Sequence, residues 1–280
     1  MSLSVLYALA ASLSWGLADF GAGLKSRTLP LVVVIFWIQA LGLLLSAVLV
    51  VATGAPAPTA GQALASLGAG AAGVAGLTLF YRALATGVMS VVAPIGATGV
   101  VLPVVVGVLG GDHLTRAQAL GLAATVLGVV AATRSAEAHG GRGRTAPAVG
   151  LSLLAAVGFG CYFIGSHTGV RGGLAWLLLL SHAIGCLSVL VVARALRLPL
   201  GAPRRERGPL IAVGLLDLAA SALYGLANRH GLLSVVAVVG SLYPVATVVL
   251  ARITLHERVG RLQAAGIGLA LAGVGLVAGG

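Results

Sequence analysis

The chain has 280 residues, of which 59% are hydrophobic and only 8% are charged, and it carries a formal net charge of +11. Soluble domains have about a quarter charged residues, so this composition excludes a water-soluble domain, whose surface the few polar residues could not cover. The 17 basic residues fall between long apolar runs and form no continuous stripe, so we expect a lipid bilayer and not nucleic acid as the partner.

The chain divides into ten apolar runs of the length that a helix needs to cross the hydrocarbon core of a bilayer, about 20 residues. Membrane strands would alternate polar and apolar residues, whereas these runs are uniformly apolar. The sequence therefore predicts an all-α integral membrane protein with ten transmembrane helices and only short connections. The predicted helices span residues 4–24, 31–52, 61–81, 89–110, 116–134, 148–168, 173–194, 209–228, 232–252 and 261–279.

Basic residues between the runs predict the orientation of the chain. Counted by side, 14 Lys and Arg residues follow the odd-numbered spans, and three, Arg116, Arg171 and Arg229, follow the even-numbered spans or begin the next one. Basic loops tend to stay in the cytoplasm. The distribution predicts that both termini lie outside the cytoplasm.

In the first span, Ser12, Trp15 and Asp19 share one helical face. An ionisable side chain inside a membrane span is costly and indicates a functional site, so Trp15 and Asp19 are candidate substrate-binding residues. Two alternatives for Asp19 remain open: its carboxyl group extends toward the interface, or it forms a structural pair with Arg82.

Prolines occur in the fourth span, at Pro94 and Pro103, and in the ninth, at Pro244. Proline removes a backbone hydrogen bond and bends a helix, so we expect bends in both spans. Tyr243, beside Pro244, is then a candidate substrate contact, although a purely structural bend is an open alternative. His182 in the seventh span is interpreted as a hydrogen-bonded contact between helices.

The eighth span carries the strongest candidate site. Asp217, Ser221, Tyr224 and Asn228 follow the spacing of one helical face, which predicts a polar stripe lining a cavity; the alternative is a packing network with another helix. Ionisation in an apolar site is costly, so Asp217, with Asp19 second, is a candidate to bind a proton during transport.

Nothing in the sequence indicates catalysis or a cofactor. Cys161 and Cys186 lie in apolar runs without metal-ligand spacing, and we interpret both as buried, reduced, small hydrophobic residues. We find no phosphate-binding loop and no catalytic set on one side of the membrane. We therefore expect neither an enzyme nor a cofactor, although an integral membrane enzyme or assembly factor stays open as an alternative.

The chain repeats itself. At an offset of 144 residues, Ser90-Val91-Val92-Ala93 matches Ser234-Val235-Val236-Ala237, and Trp15-Gly16 matches Phe159-Gly160. Five spans in each half place the halves in opposite orientations, the inverted repeat of secondary transporters, whose substrate site lies where the halves meet. The spacing Gly68-x-x-x-Ala72-x-x-x-Gly76 also predicts a close contact between helices.

Both copies of this repeat resemble the EamA-type repeat of the drug/metabolite transporter superfamily. The resemblance rests on Trp15-Gly16, on Phe80, Ala83, Gly87, Ser90 and Gln118-x-x-Gly121 in the first copy, and on Tyr224, Ala227, Gly231, Ser234, Pro244, Glu257, Gln263, Gly266 and Gly273 in the second. It implies two five-helix repeats, residues 1–134 and 148–280, joined by a connecting loop, residues 135–147.

The chain departs from the family pattern in three places. Asp112 replaces the usual glutamate, and Gly99 or Val100 stands where the second copy has Pro244. The basic residues also reverse the orientation of relatives, which usually keep both termini in the cytoplasm. Because Asp112 and Glu257 lie between predicted spans, we interpret them as helix caps or packing residues at the interface.

The resemblance implies a ten-helix carrier that works by alternating access. We expect a secondary transporter that exports small polar or amphipathic metabolites, such as amino acids, across the cytoplasmic membrane. Its expected partners are the bilayer, a small-molecule substrate and protons, and one chain with both halves predicts a monomer. An uncoupled channel or facilitator and a lipophilic-cation efflux carrier remain alternatives. The predicted substrate-binding residues are Trp15, Asp19, Asp217, Ser221, Tyr224, Asn228 and Tyr243.

Overall fold

A computed structural model of the chain describes residues 2–111, 114–137, 142–256 and 260–279. Asp112 and Glu257, the interfacial residues of the sequence analysis, lie outside the described residues. All regular elements in the described part of the chain are helical. The α-helices are α1 (Leu3–Lys25), α2 (Leu31–Thr53), α3 (Ala60–Thr86), α4 (Met89–Ala97), α5 (Val101–Leu109), α6 (Arg116–Glu137), α7 (Arg142–Gly169), α8 (Leu174–Ala195), α9 (Arg204–His230), α10 (Leu233–Gly240), α11 (Tyr243–Leu255) and α12 (Arg261–Gly279).

Eight helical segments among the described residues are long and apolar enough to cross a membrane. They are α1, α2, α3, α4 together with α5, α7 with the short turn that follows it, α8, α9, and α10 together with α11 up to Thr254. Two further long helices, α6 and α12, stand at the positions of the fifth and tenth predicted spans. The predicted all-helical membrane fold is thus confirmed.

The outer surface of the helices is apolar. Val51 and Leu109, for example, are both 83% exposed, as suits side chains that face lipid. Much of the interior is built from small residues, such as Ala8, Ala83 and Ala227, which are fully buried and let helices approach closely. The interpretation of both cysteines as buried was wrong for one of them, because Cys186 is buried but Cys161 is exposed.

Equivalent helices of the two halves make equivalent contacts with the opposite half. Helix α1 packs against α9 as α3 packs against α7, while α2 meets its counterpart α8 and α6 meets its counterpart α12. The same equivalence holds at single glycines: Gly16 lies against the carbonyl group of Tyr243, and Gly160 lies against that of Gly99. Since both pairs are related by the 144-residue offset, the repeat is present in the packing as well as in the sequence.

Two predicted spans are interrupted near their middle. A 3-10 turn at Thr98–Val100 separates α4 from α5, and residues 241–242 separate α10 from α11. Pro94 lies inside α4, and Pro244 lies in the first turn of α11, where its missing N–H costs least. Both spans in which we expected bends are thus interrupted.

The small-residue spacing on α3 is only partly used. Gly158 of α7 lies against Ala72 and Gly76, so these two positions mediate a close contact between α3 and α7. Gly68 is exposed, and an added side chain would meet no atom of the described residues within 4 Å. Gly70 takes a contact position instead, because it packs against the backbone of Ser181.

Candidate functional site

A cavity of about 70 Å³ lies between the two halves. It is lined by α1, α2 and α3 from the first half and by α7, α8, α9 and α11 from the second. Five of the seven residues that the sequence analysis proposed as a substrate site line it: Trp15, Asp19, Asp217, Ser221 and Tyr243. Its walls also include Gln39, Tyr162, Phe163 and His182, which the sequence analysis did not propose.

Both buried carboxyl groups of the candidate site face this cavity. Asp19 on α1 accepts a hydrogen bond from the Tyr81 hydroxyl group at 3.1 Å, so its partner is Tyr81 and not the neighbouring Arg82. On α9, Asp217 Oδ2 lies 3.8 Å from His182 Nε2. Asp19 and Asp217, far apart in sequence, thus line the same cavity. A molecule bound in this cavity would therefore contact both carboxyl groups.

His182 has a defined proton position. Its Nδ1 lies 2.7 Å from the carbonyl oxygen of Leu178, and because a carbonyl oxygen only accepts, Nδ1 must donate. Nε2 therefore faces Asp217 either with a lone pair or, in the imidazolium, with a second proton. His182 and Asp217 therefore face each other across the cavity wall at a distance longer than a hydrogen bond.

His182 also packs between helices, as the sequence analysis expected. Its ring lies against Gly42 of α2, while Gln39 of α2 lies against Gly185 of α8. Gln39 and His182 are related by an offset of 143 residues, as are Gly42 and Gly185. Aligning the second and seventh spans on these glycines would have identified Gln39 and His182 as equivalent polar positions at the contact between the halves.

Aromatic side chains form two clusters, each of which contributes residues to the lining of the cavity. The first cluster consists of Trp15, Tyr162, Phe163 and Tyr224, with ring centroids 4.8 to 6.3 Å apart. The second cluster consists of Phe80, Phe159 and Tyr243, with centroids 5.3 to 6.2 Å apart. The 144-residue offset relates Trp15 to Phe159 and Phe80 to Tyr224. The clusters are thus counterparts in the repeat.

The polar stripe of the eighth span is buried along its length but does not line a single cavity. Asp217 and Ser221 face the central cavity. Tyr224 lies in the first aromatic cluster, and Asn228 lines a second cavity beyond it, where its Oδ1 lies 3.1 Å from His167 Nδ1. The first aromatic cluster therefore separates the two cavities.

An ion pair joins α1 and α9 on the opposite side of the molecule. Lys25 Nζ lies 2.7 Å from Glu206 Oε2, and both side chains are partly exposed. This contact connects the last residue of α1 to the first turn of α9.

Comparison with known proteins agrees with this architecture. The model of the EamA-like transporter family matches residues 2–134 and 146–279. A solved structure described only as "Crystal structure of protein" has a TM-score of 0.76 to this chain at 17% sequence identity, covering 99% of this chain and 98% of the other. At that identity the likeness shows the fold alone. No curated protein sequence matches the chain significantly.

Proposed function

This chain belongs to the EamA-like transporter family, and we propose that it is a secondary transporter with ten transmembrane helices in two inverted five-helix repeats. In this arrangement α6 and α12 are the fifth and tenth spans, in addition to the eight apolar segments. The equivalent contacts between the halves support the repeat, and five spans in each half would give the halves opposite orientations.

The proposed substrate is a small polar or amphipathic metabolite, such as an amino acid, exported across the cytoplasmic membrane. The central cavity carries this proposal, because both halves line it and it combines aromatic faces with carboxyl, amide and hydroxyl groups. Its volume of about 70 Å³ is well below the roughly 300 Å³ or more of typical ligand sites. Binding therefore requires the halves to move apart.

Alternating access would use the two aromatic clusters in turn. The first cluster lies between the central cavity and the His230 end of α9, and the second lies toward the Thr86 end of α3. The interruptions in the fourth and ninth spans give each half a site where a helix can bend. Separation of one cluster while the other stays packed would open the cavity to one side only.

We propose protons as the coupling ion. Asp19, Asp217 and His182 line the same cavity as the proposed substrate site, so a proton bound by one of these side chains would be taken up or released as that cavity opens to one side or the other. Substrate binding and proton binding would then compete for, or share, the same buried carboxyl groups.

Two observations bear on the alternatives. Carboxyl groups beside aromatic faces also suit a lipophilic cation, so cation efflux is the second candidate. An uncoupled channel would need a continuous opening, which the packing of both aromatic clusters does not favour.

The test is a melting-temperature panel on the purified protein in mild detergent, with amino acids, nucleosides, sugars, vitamins and lipophilic cations near millimolar concentration. A ligand at about 100 times its Kd stabilises the folded state by about 2.7 kcal/mol. We expect one chemical class to raise the melting temperature, and Asp217→Asn to lose that response. Glu206→Gln, the same chemical change outside the cavity, serves as the matched control.

Counterflow in proteoliposomes then separates a carrier from a channel. A carrier loaded with unlabelled substrate accumulates labelled substrate transiently, because one site alternates between the two sides. Saturable counterflow is the expected result; its absence with retained flux would favour the channel.

A further inference from the structure

A second cavity lies beyond the first aromatic cluster, where α7 and its 3-10 turn meet the junction of α9 and α10. Its volume is about 510 Å³, larger than that of the central cavity. Its polar lining consists of His167, Arg171, Asn228 and Arg229. No acidic side chain is among the lining residues in the described part of the chain.

The basic residues here are concentrated beyond what orientation requires. This side of the molecule has three basic residues in the whole sequence, Arg116, Arg171 and Arg229. Two of the three line this one cavity, although Arg171 follows α7 and Arg229 lies in the last turn of α9. Basic residues that only set the orientation of the chain in the membrane need not line the same cavity.

A chain of hydrogen bonds orients the amide group of Asn228. The Arg171 guanidinium lies 3.4 Å from His167 Nε2, and because arginine only donates, Nε2 accepts. His167 Nδ1 must then carry the ring proton and donate it to Asn228 Oδ1 at 3.1 Å. The amide oxygen of Asn228 therefore accepts a hydrogen bond from His167, whereas the amide nitrogen, Nδ2, takes no part in this chain of hydrogen bonds.

Asn228 Nδ2 is buried and has no acceptor in hydrogen-bond geometry among the described residues. The hydroxyl group of Tyr224, one turn earlier on α9, is likewise without a partner among them. Asn228 is 6% exposed and lines the second cavity. A buried donor without an acceptor is costly. A ligand with acceptor atoms would relieve that cost.

We propose that this second cavity binds an oxyanion, a carboxylate or phosphate group, through Arg171, Arg229 and Asn228 Nδ2. Guanidinium groups bind both oxyanions through paired, charge-assisted hydrogen bonds. The acceptor atoms of His167 and Asn228 are already engaged, by Arg171 and by His167 respectively, so they do not oppose an anion. The oxyanion can belong to a soluble small molecule or to a lipid headgroup, because the cavity lies at the ends of membrane helices.

The experiment measures the melting temperature of the purified full-length protein in neutral detergent as sodium chloride is replaced by sodium phosphate or acetate at constant ionic strength. We expect a saturable rise with at least one of these anions. The double variant Arg171→Gln/Arg229→Gln should lose it, with an apparent Kd raised about tenfold or more. The matched control is Arg116→Gln, which removes a basic residue on the same side but outside the cavity.

A parallel series identifies the source of the oxyanion. The same variants are placed in nanodiscs of phosphatidylcholine with and without phosphatidylglycerol. Stabilisation by phosphatidylglycerol that disappears only in the double variant assigns the site to a lipid headgroup. Stabilisation by phosphate or acetate without any response to phosphatidylglycerol assigns it to a soluble molecule. If both responses are absent, or persist unchanged in the double variant as a general salt effect would, the proposal is overturned.

Asp217→Asn separates this proposal from the proposed transport function. Asp217 lines the central cavity and not the second one, so this variant should keep the anion response while it loses the response to the transported substrate. Failure of either response alone therefore identifies which of the two proposals is wrong.

Discussion

Asp19 and Asp217 are the residues on which the proposed proton coupling depends. Asparagine keeps the size and hydrogen-bonding capacity of the side chain but cannot exchange a proton. In proteoliposomes, we expect Asp217→Asn to abolish the dependence of substrate flux on an imposed pH gradient, and Asp19→Asn to weaken it. Glu206→Gln should leave the dependence intact, because Glu206 lies outside the cavity. Flux that stays driven by the gradient in both Asp variants would contradict proton coupling.

Glycine substitutions test the packing at single residues. Gly99 lies directly against the backbone of Ala156, whereas a Cβ atom added at Gly68 would contact no other part of the described residues within 4 Å. We expect Gly99→Ala to lower the free energy of unfolding by about 1–3 kcal/mol, because the backbones must separate. Gly68→Ala should instead be neutral or stabilising, by up to about 1 kcal/mol. Thermal unfolding in detergent measures both; equal effects would contradict the assigned contacts.

Residue spacing identified the residues that could form a site more successfully than it identified which of these residues contact one another. The face from Asp217 to Asn228 followed from helical geometry, and the structure buries all four residues. The pairing of Asp19 with Tyr81 rather than Arg82 could not follow from spacing, because side chains at successive positions of α3 point in different directions. The role of His182 depends on a partner 35 residues away, which no local pattern contains.

At the scale of elements, the Lys25–Glu206 ion pair joins the end of α1 to the start of α9. Both side chains are partly exposed, so solvent screening keeps the contribution of the pair to stability small. We expect Lys25→Glu to lower the melting temperature slightly because it places two acids together. The exchange Lys25→Glu/Glu206→Lys should restore it, and the restored part should shrink at high salt.

The control for this prediction is Arg205→Glu, since Arg205 lies 3.7 Å from Glu206 but is 87% exposed. Its effect should be smaller than that of Lys25→Glu. If the double exchange is no more stable than Lys25→Glu alone, the ion pair does not hold the two helices together.

The helices themselves were largely predictable, because uniform apolar runs and prolines are local signals. The second predicted span, residues 31–52, agrees with α2 to within one residue, whereas α7 begins at Arg142, inside the predicted connecting loop of residues 135–147. Pro94 and Pro244 lie in the interrupted spans. The contact between α2 and α8 was harder to predict from the sequence. It depends on Gly42 and Gly185 admitting side chains from the opposite helix, a complementarity that appears only when the halves are superimposed.

At the scale of the whole molecule, the property to be tested is the orientation of the chain in the membrane. The basic residues predict that the side with Lys25 is cytoplasmic, whereas relatives usually have the reverse arrangement. Thr28 and Ala57 are exposed in the connections at opposite ends of α2. In a variant with Cys161 and Cys186 replaced by alanine, we expect a membrane-impermeant maleimide added to intact cells to label Ala57→Cys and not Thr28→Cys. Both should react after the cells are permeabilised. Labelling of Thr28→Cys alone in intact cells would place both termini in the cytoplasm and show that the basic residues do not determine the orientation of this chain.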